Sequence, residues 1–227
     1  MTTPSWDTHP LAGWRCRLFT ALVLVFVVVP QVDLGVSALF YDAGTGLFVA
    51  EGPILNAIRK GVPPLLYAAV VFVVLLWVGD RMVPGPRRGR PSGRQVLFLV
   101  GSLALGPGLI VNGVLKEWWG RARPSDIEAF GGAAIYTPPW MIADQCATNC
   151  SFVSGHAAIG FWVVAFALLV PRRHRVPAMI AALLFGAIVG GARIVVGAHF
   201  LSDIVFAGVI VIAVTLWLHR TLILDDG

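Results

Sequence analysis

Six ionisable side chains stand at the edges of otherwise apolar segments, where a charge is costly to hold. They are three cations, two imidazoles and one carboxylate, namely Lys116, Arg123, His156, Arg193, His199 and Asp203. They fall into three short clusters, KEWWGRARP (116–124), SFVSGH (151–156) and ARIVVGAHFLSD (192–203). Cations can hold a phosphate, one imidazole can attack it, and a second imidazole can protonate the leaving oxygen. These residue types therefore predict phosphate chemistry.

The first cluster carries two cations that suit a phosphate. Lys116 and Arg123 are seven positions apart, close to two helical turns, so both can face one pocket if the helix continues to Arg123. Lysine offers a point charge and arginine a planar fork. Pro124 predicts that the helix ends there. The alternative is that the side chains extend to lipid headgroups, which we expect for Arg121, and we leave it outside the site.

The second cluster opens a predicted helix. Ser154 is a suitable N-cap residue, and Gly155 is small. The unpaired N–H groups of a helix N-terminus form an anion site, so Ser154 and Gly155 are candidate phosphate-binding residues. His156 in the first turn is a candidate proton donor if a phosphate binds there, and a structural interfacial residue otherwise.

The third cluster pairs an imidazole with a carboxylate. His199 and Asp203 are spaced i, i+4 and are expected on one helix face. A carboxylate that accepts from one ring nitrogen leaves the other free to attack. A buried structural pair is the alternative. Arg193 could reach the same phosphate with its bidentate fork, because Gly197 loosens the backbone between them.

The composition predicts an all-α, polytopic membrane protein. Hydrophobic residues make up 57% of the chain and charged residues 13%, against roughly 25% charged in a soluble domain. A span needs about 20 apolar residues. Six candidate transmembrane helices lie at about 17–36, 62–79, 96–115, 154–170, 176–192 and 199–218. We expect one membrane-embedded domain over residues 1–227.

Basic residues predict the orientation of these spans. Arginines precede the first span, fill 81–94, and occur at 172–175 and 220. The positive-inside rule makes that side cytoplasmic, with 1–16 as a cytoplasmic tail rather than a removable signal peptide. All three charged clusters then fall at the extracytoplasmic face. The same rule explains the arginine run better than nucleic-acid binding does, so no nucleic-acid partner is expected.

Two connections carry features of their own. Residues 38–60 predict either an interfacial helix, with an apolar stripe of Phe48, Ile54, Leu55 and Ile58, or an irregular loop. Residues 125–150 form the longest external loop. It contains Cys146 and Cys150, for which a disulfide is permitted but not decided. Further ligands do not lie nearby in sequence, so no metal and no cofactor are expected.

The three clusters together resemble the motifs of the type 2 phosphatidic acid phosphatase superfamily, K-x6-R-P, P-S-G-H and S-R-x5-H-x3-D. The first motif is complete in this chain. The second has Val153 in place of proline, and the third has Ala192 in place of serine. Every spacing is kept, and neither departure removes an ionisable residue.

The resemblance implies a role for each site residue. His199 looks like a nucleophile that forms a phosphohistidine, with Asp203 orienting it. His156 would protonate the leaving oxygen and later activate water. The phosphate oxygens would be held by Lys116, Arg123, Ser154, Gly155 and Arg193, without a metal.

We therefore expect a bacterial-type inner-membrane lipid phosphatase whose site faces the periplasm or exterior. Its substrate would be a phosphomonoester or pyrophosphate of a membrane lipid. An outward site favours lipid A or undecaprenyl pyrophosphate over phosphatidylglycerophosphate and phosphatidate. A noncatalytic lipid-phosphate binding protein or transporter is the alternative. Soluble vanadium haloperoxidases share the motifs, but six apolar spans argue against them. The oligomeric state is not predicted.

Overall fold

The computed structural model describes residues 20–21, 24–82 and 90–224, and it is mostly helical. Its elements are α1 (Gln31–Ala38), strands β1 (Tyr41–Asp42) and β2 (Leu47–Phe48), α2 (Pro53–Met82), α3 (Gly93–Trp118), α4 (Gly155–Leu169), α5 (Arg172–Val195) and α6 (Leu201–Leu224). The prediction of helices is confirmed, with one short hairpin added.

Four of these helices, α2, α3, α5 and α6, are long and apolar enough to cross a bilayer. The chain is thus a multi-pass membrane protein. The predicted spans at 62–79, 96–115 and 176–192 lie inside α2, α3 and α5, which begin nine, three and four residues earlier, and the span predicted at 199–218 begins two residues before α6. The span predicted at 154–170 corresponds to α4, which is apolar but shorter. The span predicted at 17–36 falls partly outside the described residues.

Helix α4 owes its place at the centre of the bundle to its small and aromatic side chains. It packs against α5, α6 and α3. Ala157, Ala158 and Trp162 are fully buried. The indole Nε1 of Trp162 donates to the Ser102 hydroxyl of α3 at 2.9 Å, which satisfies a donor that lipid could not. A helix surrounded by protein need not span the hydrocarbon by itself.

Helix α2 lies at the edge of the bundle. Only 11% of its most apolar 18 residues are buried, and Leu65, Phe72 and Leu75 are each more than 60% exposed. Such a surface suits contact with lipid chains rather than with water.

Helix α3 departs from regular α geometry over Ala104–Leu115, which is π-helical. Pro107 lies inside this stretch and has no N–H to donate to the preceding turn. Within this stretch the Asn112 side chain donates to the Pro107 carbonyl at 2.7 Å, and π-helical turns are frequent at functional sites.

The segment 38–60 is neither of the two predicted forms. Strands β1 and β2 form an antiparallel hairpin, with Tyr41 opposite Phe48. Helix α2 begins at Pro53, so Ile54, Leu55 and Ile58 belong to its first turns rather than to a separate interfacial helix. Phe48 instead packs its ring against Tyr41 and Phe130.

Helix α3 does not continue to Arg123, so the condition for placing Lys116 and Arg123 on one helix face is not met. The helix ends at Trp118, and Gly120 has a φ of +66°. A Cβ atom at Gly120 would lie 1.7 Å from the Ala143 carbonyl oxygen, so the backbone of the 125–150 loop packs directly against the backbone at Gly120. Arg123 is consequently carried by extended loop backbone.

Candidate active site

The three charged clusters meet at one end of the bundle. The C-terminal ends of α3 and α5 and the N-terminal ends of α4 and α6 converge there. A cavity of about 250 Å³ opens at this end between α2, α3 and α4, and it is lined by Pro63, Tyr67, Asn112, Lys116, Asn149, Gly155, His156 and Ile159. Residues distant in sequence thus share one site.

His199 lies in the loop between α5 and α6 and is 2% exposed. Its Nδ1 is 2.8 Å from the Ser151 carbonyl oxygen. A carbonyl only accepts, so Nδ1 carries the proton and the lone pair of Nε2 stays free. Burial lowers the pKa of His199 to about 4; Asp203 opposes this shift, and the charges of Lys116 and Arg123 add to it. The imidazole is therefore neutral at neutral pH.

Asp203 lies beside His199 but does not hydrogen-bond to it directly. Its Oδ2 is 3.7 Å from the imidazole Nδ1. That oxygen accepts instead from the Ser151 hydroxyl at 2.5 Å and from the Phe200 N–H at 2.8 Å. Helix α6 begins at Leu201, so the two residues do not share a helix face as expected. Ser151 connects them, with its carbonyl on the imidazole and its hydroxyl on the carboxylate.

Arg121 hydrogen-bonds to the buried carboxylates of this network. Its side chain does not extend to lipid headgroups, which is contrary to the expectation from the sequence. Its side chain is fully buried. Its guanidinium donates to Asp203 at 2.6 Å and to Asp33 at 2.8 Å. It also lies 4.2 Å from the centre of the Phe200 ring. Two buried carboxylates require a buried cation, because an unpaired charge in the interior is very costly.

Sequence reasoning missed Arg121 and Asp33, although one signal was present. Asp33 is a carboxylate inside the first apolar run, and such a residue generally has a partner in the protein interior. Several arginines could have been the partner of Asp33, and the positions of these residues along the chain did not single out Arg121.

Lys116 and Arg123 flank the disulfide-closed loop of Cys146 and Cys150. The Cys150 N–H donates to the Lys116 carbonyl at 3.1 Å, and the Arg123 guanidinium donates to the Asn149 carbonyl at 2.8 Å. Across residues 20–21, 24–82 and 90–224, neither cation makes a salt bridge. Both therefore keep their charge available to an anion.

Arg193 lies in the last turn of α5 and is 8% exposed. Its Nη1 donates to Glu51 Oε1 at 3.0 Å. Its Nε is buried and has no hydrogen-bond partner among the described residues. Buried donors in proteins are rarely left unpaired, so an oxygen-rich ligand would complete this guanidinium.

The N-terminus of α4 is built as predicted, with one difference. The Ser154 hydroxyl accepts from the Ala157 N–H at 3.4 Å as an N-cap. The Ser154 N–H already donates to the Asp203 carbonyl at 3.2 Å, so it is not a free phosphate donor here. A Cβ at Gly155 would lie 2.5 Å from Asn112 Oδ1, which leaves no room for a side chain.

His156 faces the start of α2. Its Nε2 lies 3.1 Å from the Arg59 carbonyl oxygen. In a regular helix that carbonyl would accept from the residue four positions later, which is Pro63 and has no N–H. The proline thus leaves the carbonyl free to accept from the imidazole. The neutral ring then keeps Nδ1 unprotonated.

The arrangement contains the parts of a phosphoryl-transfer site. It brings together a neutral imidazole with a free lone pair, a second imidazole and three cations. Positive groups around a phosphate stabilise its charge as it transfers.

Known proteins point the same way. The PAP2 superfamily model matches residues 95–223. The lipid A 4'-phosphatase of Francisella tularensis subsp. novicida is 36% identical, covering 83% of this chain and 85% of that protein. The lipid A 4'-phosphatase of Rhizobium leguminosarum is 34% identical, covering 83% and 86%. The lipid A 1-phosphatase of Rhizobium johnstonii is 30% identical, covering 86% and 75%. With the three clusters gathered at one end of the bundle, the chain belongs to the PAP2 superfamily, as one of its membrane lipid phosphatases.

Proposed function

We propose that this lipid phosphatase removes the 4'-phosphate of lipid A through a phosphohistidine on His199. The observation that carries the mechanism is the fixed tautomer of His199, whose proton is on the nitrogen facing the Ser151 carbonyl. The substrate assignment is supported by relatives that are lipid A 4'-phosphatases and that align over more than four-fifths of the chain.

In the first step, His199 Nε2 attacks phosphorus, and the bond from phosphorus to the sugar oxygen breaks. The electron pair leaves on that oxygen, which takes the Nδ1 proton of His156. His156 enters this step as the imidazolium, with a proton on each ring nitrogen, and its Nε2–H stays on the Arg59 carbonyl. The phosphorylated imidazole keeps its Nδ1 proton and gains positive charge. Asp203, 3.7 Å away and joined through Ser151, stabilises that charge.

In the second step, water attacks the phosphorus of the phosphohistidine. His156, now neutral, accepts the proton of that water, and the P–N bond breaks with its electron pair returning to Nε2. Inorganic phosphate leaves, and His199 is neutral again. His156 thus serves as the acid in the first step and as the base in the second.

Lys116, Arg123 and Arg193 bind the phosphate oxygens in this proposal. Two observations support that role. Among the described residues, Arg193 has an unpaired Nε, and neither Lys116 nor Arg123 pairs with a carboxylate. First-turn N–H groups of α4, at Gly155 and His156, supply further donors, since they lack carbonyl partners within the helix.

The site is proposed to face the extracytoplasmic side of the inner membrane in a six-span chain. Arg172, Arg173 and Arg175 lie at the start of α5, and Arg193 lies at its end. A helix of 24 residues is about 36 Å long, so the arginine cluster and the site are at opposite ends of a span. The positive-inside rule assigns the cluster to the cytoplasm.

A substrate panel tests the assignment. The purified protein is incubated with bisphosphorylated lipid A, lipid A lacking only the 4'-phosphate, undecaprenyl pyrophosphate, phosphatidate and phosphatidylglycerophosphate. We expect phosphate release from the first lipid, with mass spectrometry of the product placing the loss on the distal sugar. Efficient cleavage of the 4'-dephosphorylated lipid would indicate 1-phosphatase activity, and preference for another lipid would refute the lipid A assignment.

A further inference from the structure

Glu51 bridges two arginines at the mouth of the site. Its Oε1 accepts from Arg193 Nη1 at 3.0 Å, and its Oε2 accepts from Arg59 Nε at 3.0 Å. Each carboxylate oxygen therefore binds a guanidinium from a different helix. Burial alone would raise the pKa of Glu51, but the hydrogen bonds and charges of the two arginines hold it below its usual value. The carboxylate is ionised at neutral pH.

The hairpin that precedes Glu51 fixes its position. Phe48 packs against Gly197, where an added Cβ would lie 2.4 Å from the phenyl ring. Gly197 has a φ of +67° and lies in the loop that joins Arg193 to His199. The hairpin is therefore seated on the loop that carries the candidate nucleophile, and Glu51 follows it three residues later.

Glu51 neutralises only one of the three candidate phosphate-binding cations. Within the described residues, Lys116 and Arg123 form no salt bridge, whereas Arg193 has Glu51. A carboxylate and a phosphate bind the same face of a guanidinium through the same donors. They cannot both occupy the Nη1 position of Arg193.

Arg59 forms a second ion pair with the Glu51 carboxylate. Its side chain is 34% exposed and that of Glu51 is 33% exposed, whereas the Arg193 side chain is 9% exposed. The Arg59 pair is thus at the solvent side and can persist when the Arg193 pair breaks.

We propose that Glu51 is a displaceable counter-ion of Arg193, which the substrate phosphate replaces and which Arg59 retains beside the site. After hydrolysis, Glu51 returns to Arg193 and helps to expel inorganic phosphate. The inference rests on the proposed role of Arg193 in binding phosphate. It adds Glu51 and Arg59, neither of which lies in the three charged clusters, to the residues that set affinity.

The test compares inhibition by vanadate and by inorganic phosphate, together with the KM for lipid A, in purified variants. Glu51→Gln keeps the shape and removes the charge, and Glu128→Gln removes one charge from an exposed position of the external loop. For Glu51→Gln we expect both inhibition constants and the KM to fall about three- to tenfold, as for loss of a partly exposed ion pair that competes with the ligand. Unchanged or weaker binding would overturn the proposal, and so would equal tightening in Glu128→Gln.

Arg59→Ala separates a retaining role from direct phosphate binding. If Arg59 retains Glu51, its loss leaves the carboxylate on Arg193 and weakens vanadate inhibition in the wild-type background, but has no effect in Glu51→Gln. Equal weakening in both backgrounds would mean that Arg59 binds the anion itself and would overturn the retaining role. If the wild-type protein neither hydrolyses lipid A nor responds to vanadate, both this inference and the proposed function fail. If it does both and Glu51→Gln behaves as wild type, only this inference fails.

Discussion

At the scale of single residues, the candidate nucleophile is oriented by a backbone carbonyl rather than by a carboxylate. Ser151 accepts from His199 Nδ1 through its carbonyl and donates its hydroxyl to Asp203. Asp203 therefore acts on the imidazole by charge and through Ser151. Spacing predicted that His199 and Asp203 are neighbours. It could not predict the serine, because the contact joins segments 48 residues apart.

The two histidines are predicted to differ in how they respond to the leaving group. His199→Ala should abolish hydrolysis of every substrate. His156→Ala should lose most activity on lipid A, because general acid catalysis contributes about 10²–10⁴-fold. It should keep appreciably more on p-nitrophenyl phosphate, whose leaving group needs little protonation. Steady-state rates on both substrates check this.

His174→Ala is the matched control, since His174 is exposed at the far end of α5 and should leave both rates unchanged. Near-normal turnover by His199→Ala would refute its assignment as nucleophile. Equal fractional losses of His156→Ala on the two substrates would refute its assignment as proton donor.

The three cations predict that activity does not need a divalent metal. Lys116, Arg123 and Arg193 supply the positive charge that magnesium supplies in many phosphoryl-transfer enzymes. Phosphate release should therefore persist in EDTA, and vanadate, which resembles pentacoordinate phosphorus, should inhibit. Loss of activity on chelation, followed by recovery with magnesium, would contradict the mechanism.

At the scale of elements, a proline in α2 positions His156, the candidate proton donor, on another helix. Pro63 cannot donate to the Arg59 carbonyl, which accepts from His156 at 3.1 Å instead. The sequence shows the proline but not the use of the freed carbonyl, because that use depends on how α2 packs against α4.

Pro63→Ala should restore a helix N–H that competes with His156 for the Arg59 carbonyl. A typical hydrogen bond contributes about 0.5–1.5 kcal/mol, so we expect the rate on lipid A to fall about two- to tenfold. The rate on p-nitrophenyl phosphate should change less. Pro64→Ala is the control, because it restores a donor to the Lys60 carbonyl and not to that of Arg59. Equal effects of both variants on both substrates would show that the helix, and not the carbonyl, matters.

At the scale of the whole molecule, apolar composition predicted most helices, and it could not rank them by burial. In a chain where nearly every face is apolar, periodicity does not separate lipid-facing from protein-facing sides. The central α4 and the peripheral α2 therefore have similarly apolar sequences, although one is buried and the other is exposed. The positions of Arg121 and Glu51 were hidden for a related reason, since each depends on contacts between distant segments.

The orientation of the bundle is open to direct measurement. In a background without native cysteines, Ala129→Cys and His174→Cys place single thiols at exposed positions on opposite ends of the bundle. An impermeant maleimide should label Ala129→Cys in spheroplasts, and His174→Cys only after permeabilisation, because arginine-rich segments stay in the cytoplasm. The reverse pattern would place the site in the cytoplasm and contradict the proposed topology.

The central claim is that phosphate passes through His199, and the phosphorylated enzyme tests it most directly. In His156→Ala, water activation is impaired, so an activated ester such as ³²P-labelled p-nitrophenyl phosphate should let the intermediate accumulate. The reaction is stopped with detergent at alkaline pH, which preserves a P–N bond, and the labelled peptide is sequenced by mass spectrometry. We predict phosphate on His199 and no label in the His156→Ala/His199→Ala double variant. Phosphate on any other residue, or nitrophenol release without protein-bound phosphate at any time of quenching, would contradict the mechanism.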